Sequence, residues 1–95
     1  MRAARTDDNH REIVKALRAA GCSVFDTSSL GKGFPDLVVG ISQRTILMEI
    51  KNPATRYGRA GLNDNQRALF DGWKGGPMSI VTDVESALRA ARTAT

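Results

Sequence analysis

GFPDLVVGISQRTILMEIK, residues 33–51, is the stretch on which the fold turns. Leu37-Val38-Val39-Gly40-Ile41 is a β-branched apolar run of the kind a buried strand needs. Thr45-Ile46-Leu47-Met48-Glu49-Ile50-Lys51 is a second such run, and only Ser42-Gln43-Arg44 separates the two. A link this short returns the chain on itself, so the two strands pair antiparallel. Pro35 stands at the mouth of the first strand, where its missing N–H does little harm. Polar residues interrupt the apolar pattern at its ends: Asp36 opens the first strand, and Glu49 and Lys51 close the second. Side chains at i and i+2 share a face of a strand, so Glu49 and Lys51 point the same way while Ile50 points opposite, into the core. The hairpin sets the start of one strand beside the end of the other. Asp36, Glu49 and Lys51 are therefore expected to converge at one end of the sheet.

Upstream of this hairpin, Ile13, Val14, Leu17 and Ala20 recur at helical spacing. Capping types at Asp7, Asp8 and Asn9 and a stop at Gly21 predict a helix over 9–20, and residues 1–8 are expected to be a flexible, polar lead. Cys22 to Asp26 reads as a short strand, followed by a polar loop from Thr27 to Gly33. Downstream, 52–61 (NPATRYGRAG) reads as a flexible basic loop. A second helix begins near Asn63, with Gln66 placed to complete a capping box and Leu62, Leu69, Phe70 and Trp73 on one broad face. Gly75-Gly76-Pro77 ends it, Met78 to Val81 is a fourth strand, and Thr82 with Glu85 caps a last helix whose buried stripe is Val84, Ala87, Leu88 and Ala91. The expected order is α-β-β-β-α-β-α. It describes an α/β fold: one domain over 9–95, with a central mixed sheet of about four strands flanked by helices and a right-handed crossover through the second helix.

The 95 residues suit one modest core and leave no room for a separate substrate domain. Fourteen Lys and Arg against ten Asp and Glu give +4, which favours polyanionic partners, although the same excess also serves solubility. A single cysteine, Cys22, rules out an internal disulfide framework and suits a reducing cytosol; at the head of an apolar segment it reads as a buried structural thiol. With no apolar run long enough for a membrane span and no apolar signal core, a cytoplasmic protein is expected. One histidine and no CxxC pair argue against a zinc site.

Two carboxylates held a few ångströms apart repel unless something neutralises them. A divalent cation does so, and hard oxygen ligands favour Mg2+ or Mn2+. Such a cation activates water and stabilises charge on a phosphodiester, and the Lys51 ammonium can orient that water or stabilise the developing phosphorane. The Ile50 carbonyl, between Glu49 and Lys51, can serve as a further ligand. Taken singly, Glu-x-Lys on a strand is often an exposed ion pair and Pro-Asp often only begins a turn. With the hairpin between them, the two halves favour hydrolysis of a nucleic-acid backbone.

GFPDLVVG followed by ILMEIK resembles the PD-(D/E)xK nuclease superfamily, in its small VRR-NUC branch found in bacteriophages, which is similar to archaeal Holliday-junction resolvases. The resemblance covers nearly the whole chain, and the fold it implies is restriction-endonuclease-like. It implies metal ligation by Asp36, Glu49 and the Ile50 carbonyl, a catalytic Lys51, and assistance from Gln66, for which simple helix capping is an equal reading. It further implies a homodimer that cuts branched or flapped DNA, with no organic cofactor. One position departs from the family pattern. The glutamate common on its first helix falls on Asn9 or His10 here, while Glu12, turned by about 100° per residue, is expected to point elsewhere. Asn9 or His10 could hold a metal-bound water, and His10 could equally be an exposed residue near a helix start.

Ser28, Ser29 and Lys32, among the small residues before the catalytic strand, and Arg56 and Arg59, flanking Tyr57 just after it, are the candidate DNA contacts. Phe70 and Trp73 read as core or as a dimer patch. Three readings follow: a structure-selective metal-dependent DNA endonuclease, a DNA-binding module of the same fold with weak or no cleavage, and an unrelated interaction protein whose charged trio is coincidental.

Overall fold

The computed structural model describes residues 4–93. Its elements are α1 (Ala4–Ala19), β1 (Ser23–Asp26), β2 (Leu37–Ile41), β3 (Arg44–Ile50), α2 (Arg56–Arg59), α3 (Asp64–Gly72), β4 (Met78–Val81) and α4 (Val84–Thr93). The four strands form one mixed sheet in the order β1-β2-β3-β4, antiparallel except for the parallel β3–β4 pair, as an α/β domain of this element order requires.

The hairpin register is Leu37↔Met48, Val39↔Ile46 and Ile41↔Arg44, which leaves Ser42 and Gln43 alone in the turn. Both adopt positive φ, 52° and 64°, as a two-residue turn between twisted strands demands. On one face of the sheet Leu37, Val39, Ile46 and Met48 are fully buried with Ile13 and Leu17 of α1 and Ala87 and Ala91 of α4. α1 packs on α4 and on β1, and α4 packs on β4. Cys22 belongs to this core, and burial pushes its thiol pKa up.

Several local expectations are corrected. α1 starts at Ala4, so the expected polar lead of 1–8 is helical from Ala4 onward, and its first three positions lie outside the described residues. Acidic residues favour the first turn of a helix as well as its cap, so Asp7 and Asp8 in the sequence do not distinguish a start at Asn9 from one at Ala4. The basic loop after Lys51 contains the one-turn helix α2. Thr55 caps it by accepting a hydrogen bond from Gly58 N at 2.9 Å. α4 is capped by Asp83 instead of Thr82: Ser86 N donates to Asp83 Oδ1 at 2.8 Å while Asp83 N donates to Ser86 Oγ at 3.1 Å, a reciprocal box one residue further on. α3 buries none of its residues; Leu69 and Phe70 are half-buried, and Trp73 lies beyond the helix end with its indole N–H donating to Gly76 O. No helix among the described residues is long and apolar enough to cross a membrane.

Candidate active site

Register brings one end of each of the four strands together. β1 finishes at Asp26, β2 begins after Asp36, β3 finishes at Glu49-Ile50 and β4 finishes at Val81, all at the same end of the sheet. A cavity of about 300 Å³ opens there. Asp36, Glu49, Ile50, Lys51 and Gln66 all line it.

Asp36 is held from two sides. Thr27 N donates to its carbonyl at 2.8 Å, and the buried Thr27 hydroxyl donates to Pro35 O at 2.7 Å, which clamps the loop 27–36 at its neck. Pairing of Leu37 with Met48 sets Asp36 opposite Glu49, and Ile50 N donates to Asp36 Oδ2 at 2.8 Å. Glu49 is 5% exposed and Lys51 6%, their charged ends 3.7 Å apart. The strand alternation that puts them on one face also sends Ile50 toward the apolar core.

Gln66 ties this pair to α3. Its Nε2 donates to Glu49 Oε2 at 2.8 Å, and its Oε1 accepts from Lys51 Nζ at 2.8 Å. The same Oε1 accepts from Asn63 N at 2.9 Å, while Gln66 N donates to Asn63 Oδ1. Capping and site contact, two alternatives in the sequence, are therefore made at once by one amide. Gly33 permits this closeness: at φ +83° it lies against the start of α3, and a Cβ there would come 2.5 Å from the Asn65 carbonyl oxygen.

Burial, and next the charge of Asp36, push the Glu49 carboxyl up to about 7; Lys51 opposes the shift without cancelling it. At neutral pH this carboxyl is therefore about half protonated, and the second negative charge of the pair is only partly expressed.

That donor set fits a small hard divalent cation. Asp36 and Glu49 supply carboxylate oxygens, and Ile50 lines the same cavity with its carbonyl between the two charged positions in sequence. No group of three or more His, Cys, Asp or Glu able to hold a metal gathers among the described residues, so water would complete the shell, which Mg2+ favours more than most cations.

Of the remaining sequence candidates, Asn9, His10 and Ser28 line the cavity, whereas Ser29, Lys32, Arg56 and Arg59 are exposed and lie outside its lining. Asn9 Nδ2 donates to Thr82 O at 3.3 Å, and His10 Nε2 lies 2.8 Å from Asp26 Oδ2. Partial burial works against the Asp26 carboxylate, but hydrogen bonds from Ser28 Oγ and N, with His10, outweigh it and hold its pKa below the ordinary value. Glu12 faces a separate groove, as its helical angle predicts. Sequence reasoning missed Thr27 and Asp26; the Asp-Thr-Ser run after β1, a common turn-capping combination, was the available signal. Tyr57 had been read only as part of the basic loop, and it lines the cavity with Lys51 Nζ 5.3 Å from its ring centroid. No family model, curated protein or solved structure matches the chain.

Proposed function

We propose that this chain is a Mg2+- or Mn2+-dependent endonuclease that hydrolyses DNA phosphodiester bonds, centred on Asp36, Glu49 and Lys51. The observation that carries the reading is the charged cluster itself: the buried Glu49 carboxyl and Lys51 ammonium, with the half-buried Asp36 carboxylate beside them, at an open cavity. Burying charges in this way is expensive and adds little to stability, so their retention is better explained by use than by architecture. Asp36, Glu49 and the Ile50 carbonyl would hold the cation, which when bound polarises the phosphodiester and lowers the pKa of a coordinated water.

Lys51 is the positive group for the charge that develops on the phosphorane oxygens. Its ammonium is fixed by Gln66 Oε1 and Glu49 before any substrate arrives, so little reorganisation is needed. Asp36, tied to Ile50 N, keeps the ends of β2 and β3 at a constant separation. The net charge of +4 supports a polyanionic substrate. The resemblance to the PD-(D/E)xK superfamily, through its VRR-NUC-like and resolvase-like members, supports selectivity for branched, flapped or junction DNA, a homodimer, and a home in the cytoplasm of a bacterial or phage-infected cell.

Incubation with four-way, flapped, nicked and linear DNA in Mg2+ or Mn2+ tests this. Wild type is expected to cut branched DNA, with Asp36→Ala and Lys51→Ala each slowing cleavage by about a hundredfold or more. Strict cutting at one short sequence in unbranched duplex would overturn the structure-selective part. The absence of a third acid beside the trio among the described residues favours one alternative, a DNA-binding module of the same fold. Binding without cleavage in either metal would establish that alternative.

A further inference from the structure

We propose that Tyr57 is a stacking platform for an unpaired nucleobase adjoining the phosphate at the Lys51 site, an inference that rests on the nuclease reading for its substrate. Tyr57 is 69% exposed and stands at the lining of the open cavity. Lys51 Nζ sits over one face of the ring, 5.3 Å from its centroid, so the ammonium assigned to the phosphate covers that face and the opposite face is the one a base would meet. An aromatic face there meets a base one backbone link away from the reacting group. Duplex DNA keeps its bases stacked inside the helix, so only an unpaired base, at a flap, fork or junction, can reach it.

The backbone that carries the ring is tied down on both sides. Gly58 packs so tightly on Asn52 that an added Cβ would overlap the Asn52 carbonyl oxygen. Asn52 Oδ1 accepts from Ala54 N at 2.9 Å, Asn52 O accepts from the Thr55 hydroxyl at 3.0 Å, and Thr55 Oγ1 accepts from Gly58 N. Arg59 Nη1 donates back to Pro53 O at 3.1 Å, closing the segment from its far end. The chain immediately after the catalytic strand is thus a pre-formed turn that presents Tyr57. A platform ordered in advance loses less freedom when a base settles on it. Sequence-tolerant stacking also suits a site that selects DNA by its shape, because every base has a π-face.

Fluorescence anisotropy in EDTA, where cleavage is silent, decides the matter. The probes are two DNAs that differ only in a short flap: thymidines in one, abasic spacers of equal length in the other. Wild type is expected to bind the base-bearing flap roughly tenfold more tightly, Tyr57→Phe to keep that preference, and Tyr57→Ala to bind both flaps alike. Tyr57→Leu, which retains apolar bulk without a π-face, is expected to behave as Tyr57→Ala and replaces it if that variant fails to fold. Equal binding of the two probes by wild type, or an unchanged preference in Tyr57→Ala and Tyr57→Leu, would overturn the platform. A Tyr57-dependent preference without cleavage in Mg2+ or Mn2+ sinks the nuclease reading alone, and cleavage without that preference sinks the platform alone.

Discussion

The two faces of the sheet use the same strands for opposite ends. On the α1/α4 face, Leu37, Val39, Ile46 and Met48 meet Ile13 and Leu17 in a cluster made of apolar side chains and one thiol. On the other face Leu47 and Glu49 of β3 and Lys51 just past its end follow in alternation, each nearly as buried, with Gln66 of α3 laid across the charged pair. Further along that face Phe25 of β1 is 71% exposed. Dry packing gains free energy for every methylene withdrawn from water, whereas the charged pair costs free energy on burial and recovers it only in part through mutual attraction. The first face makes the domain stable, and the second holds groups poised at some expense to that stability.

The comparison breaks most readily in the core. Met48→Ala should lower the unfolding free energy by about 2–5 kcal/mol in urea titrations, and Leu47→Ala, one residue along but outside the apolar cluster, by less. Equal losses would mean that both faces support the fold alike.

Glu49→Gln probes the other side. A carboxyl raised from 4.5 to about 7 favours the folded state while protonated, so its contribution is complete below about 4.5 and is lost as pH rises through about 7. The variant should therefore be more stable than wild type at pH 8, by on the order of 1–3 kcal/mol, with little difference at pH 4. Destabilisation at pH 8 would show that the Lys51 attraction outweighs burial and the Asp36 charge.

Gln66→Ala removes a helix cap and a bridge together. A loss of about 1–2 kcal/mol is expected by thermal unfolding, against about 1 kcal/mol for Asn63→Ala, which removes only the cap acceptor. A Gln66 variant no worse than the Asn63 one would reduce its contacts with Glu49 and Lys51 to incidental ones. The smallest effect belongs to the far end of the hairpin. Ser42→Asn with Gln43→Gly should stabilise by about 0.5–1 kcal/mol, because the turn already has positive φ at both positions and these residues adopt it with less strain.

Much of this was legible beforehand. The two apolar runs and their short link announced the hairpin, and period-two alternation put Glu49 and Lys51 on a shared face. Asn63 and Gln66 announced the start of α3. Less legible were the features that depend on register or on distant contacts. Thr82 and Asp83 are both good caps, and the reciprocal hydrogen bonds of Asp83 with Ser86 select the second. The loop after Lys51 looked flexible because its glycines and proline permit many shapes, and the tight seat of Gly58 on Asn52 leaves it one.

By itself the amino-acid order determined which residues lie in strands, which face each occupies, and that three charges fall near the hairpin's open end, because these follow from local sterics and periodicity. Tertiary structure alone decided that Gln66 would join Glu49 to Lys51, that Thr27 would clamp the neck of the Asp36 loop, and that Tyr57 would stand beside the ammonium. Those pairings bridge segments whose separation is set by how helices and loops settle on the sheet, a balance of packing over the whole chain that no short window of sequence contains.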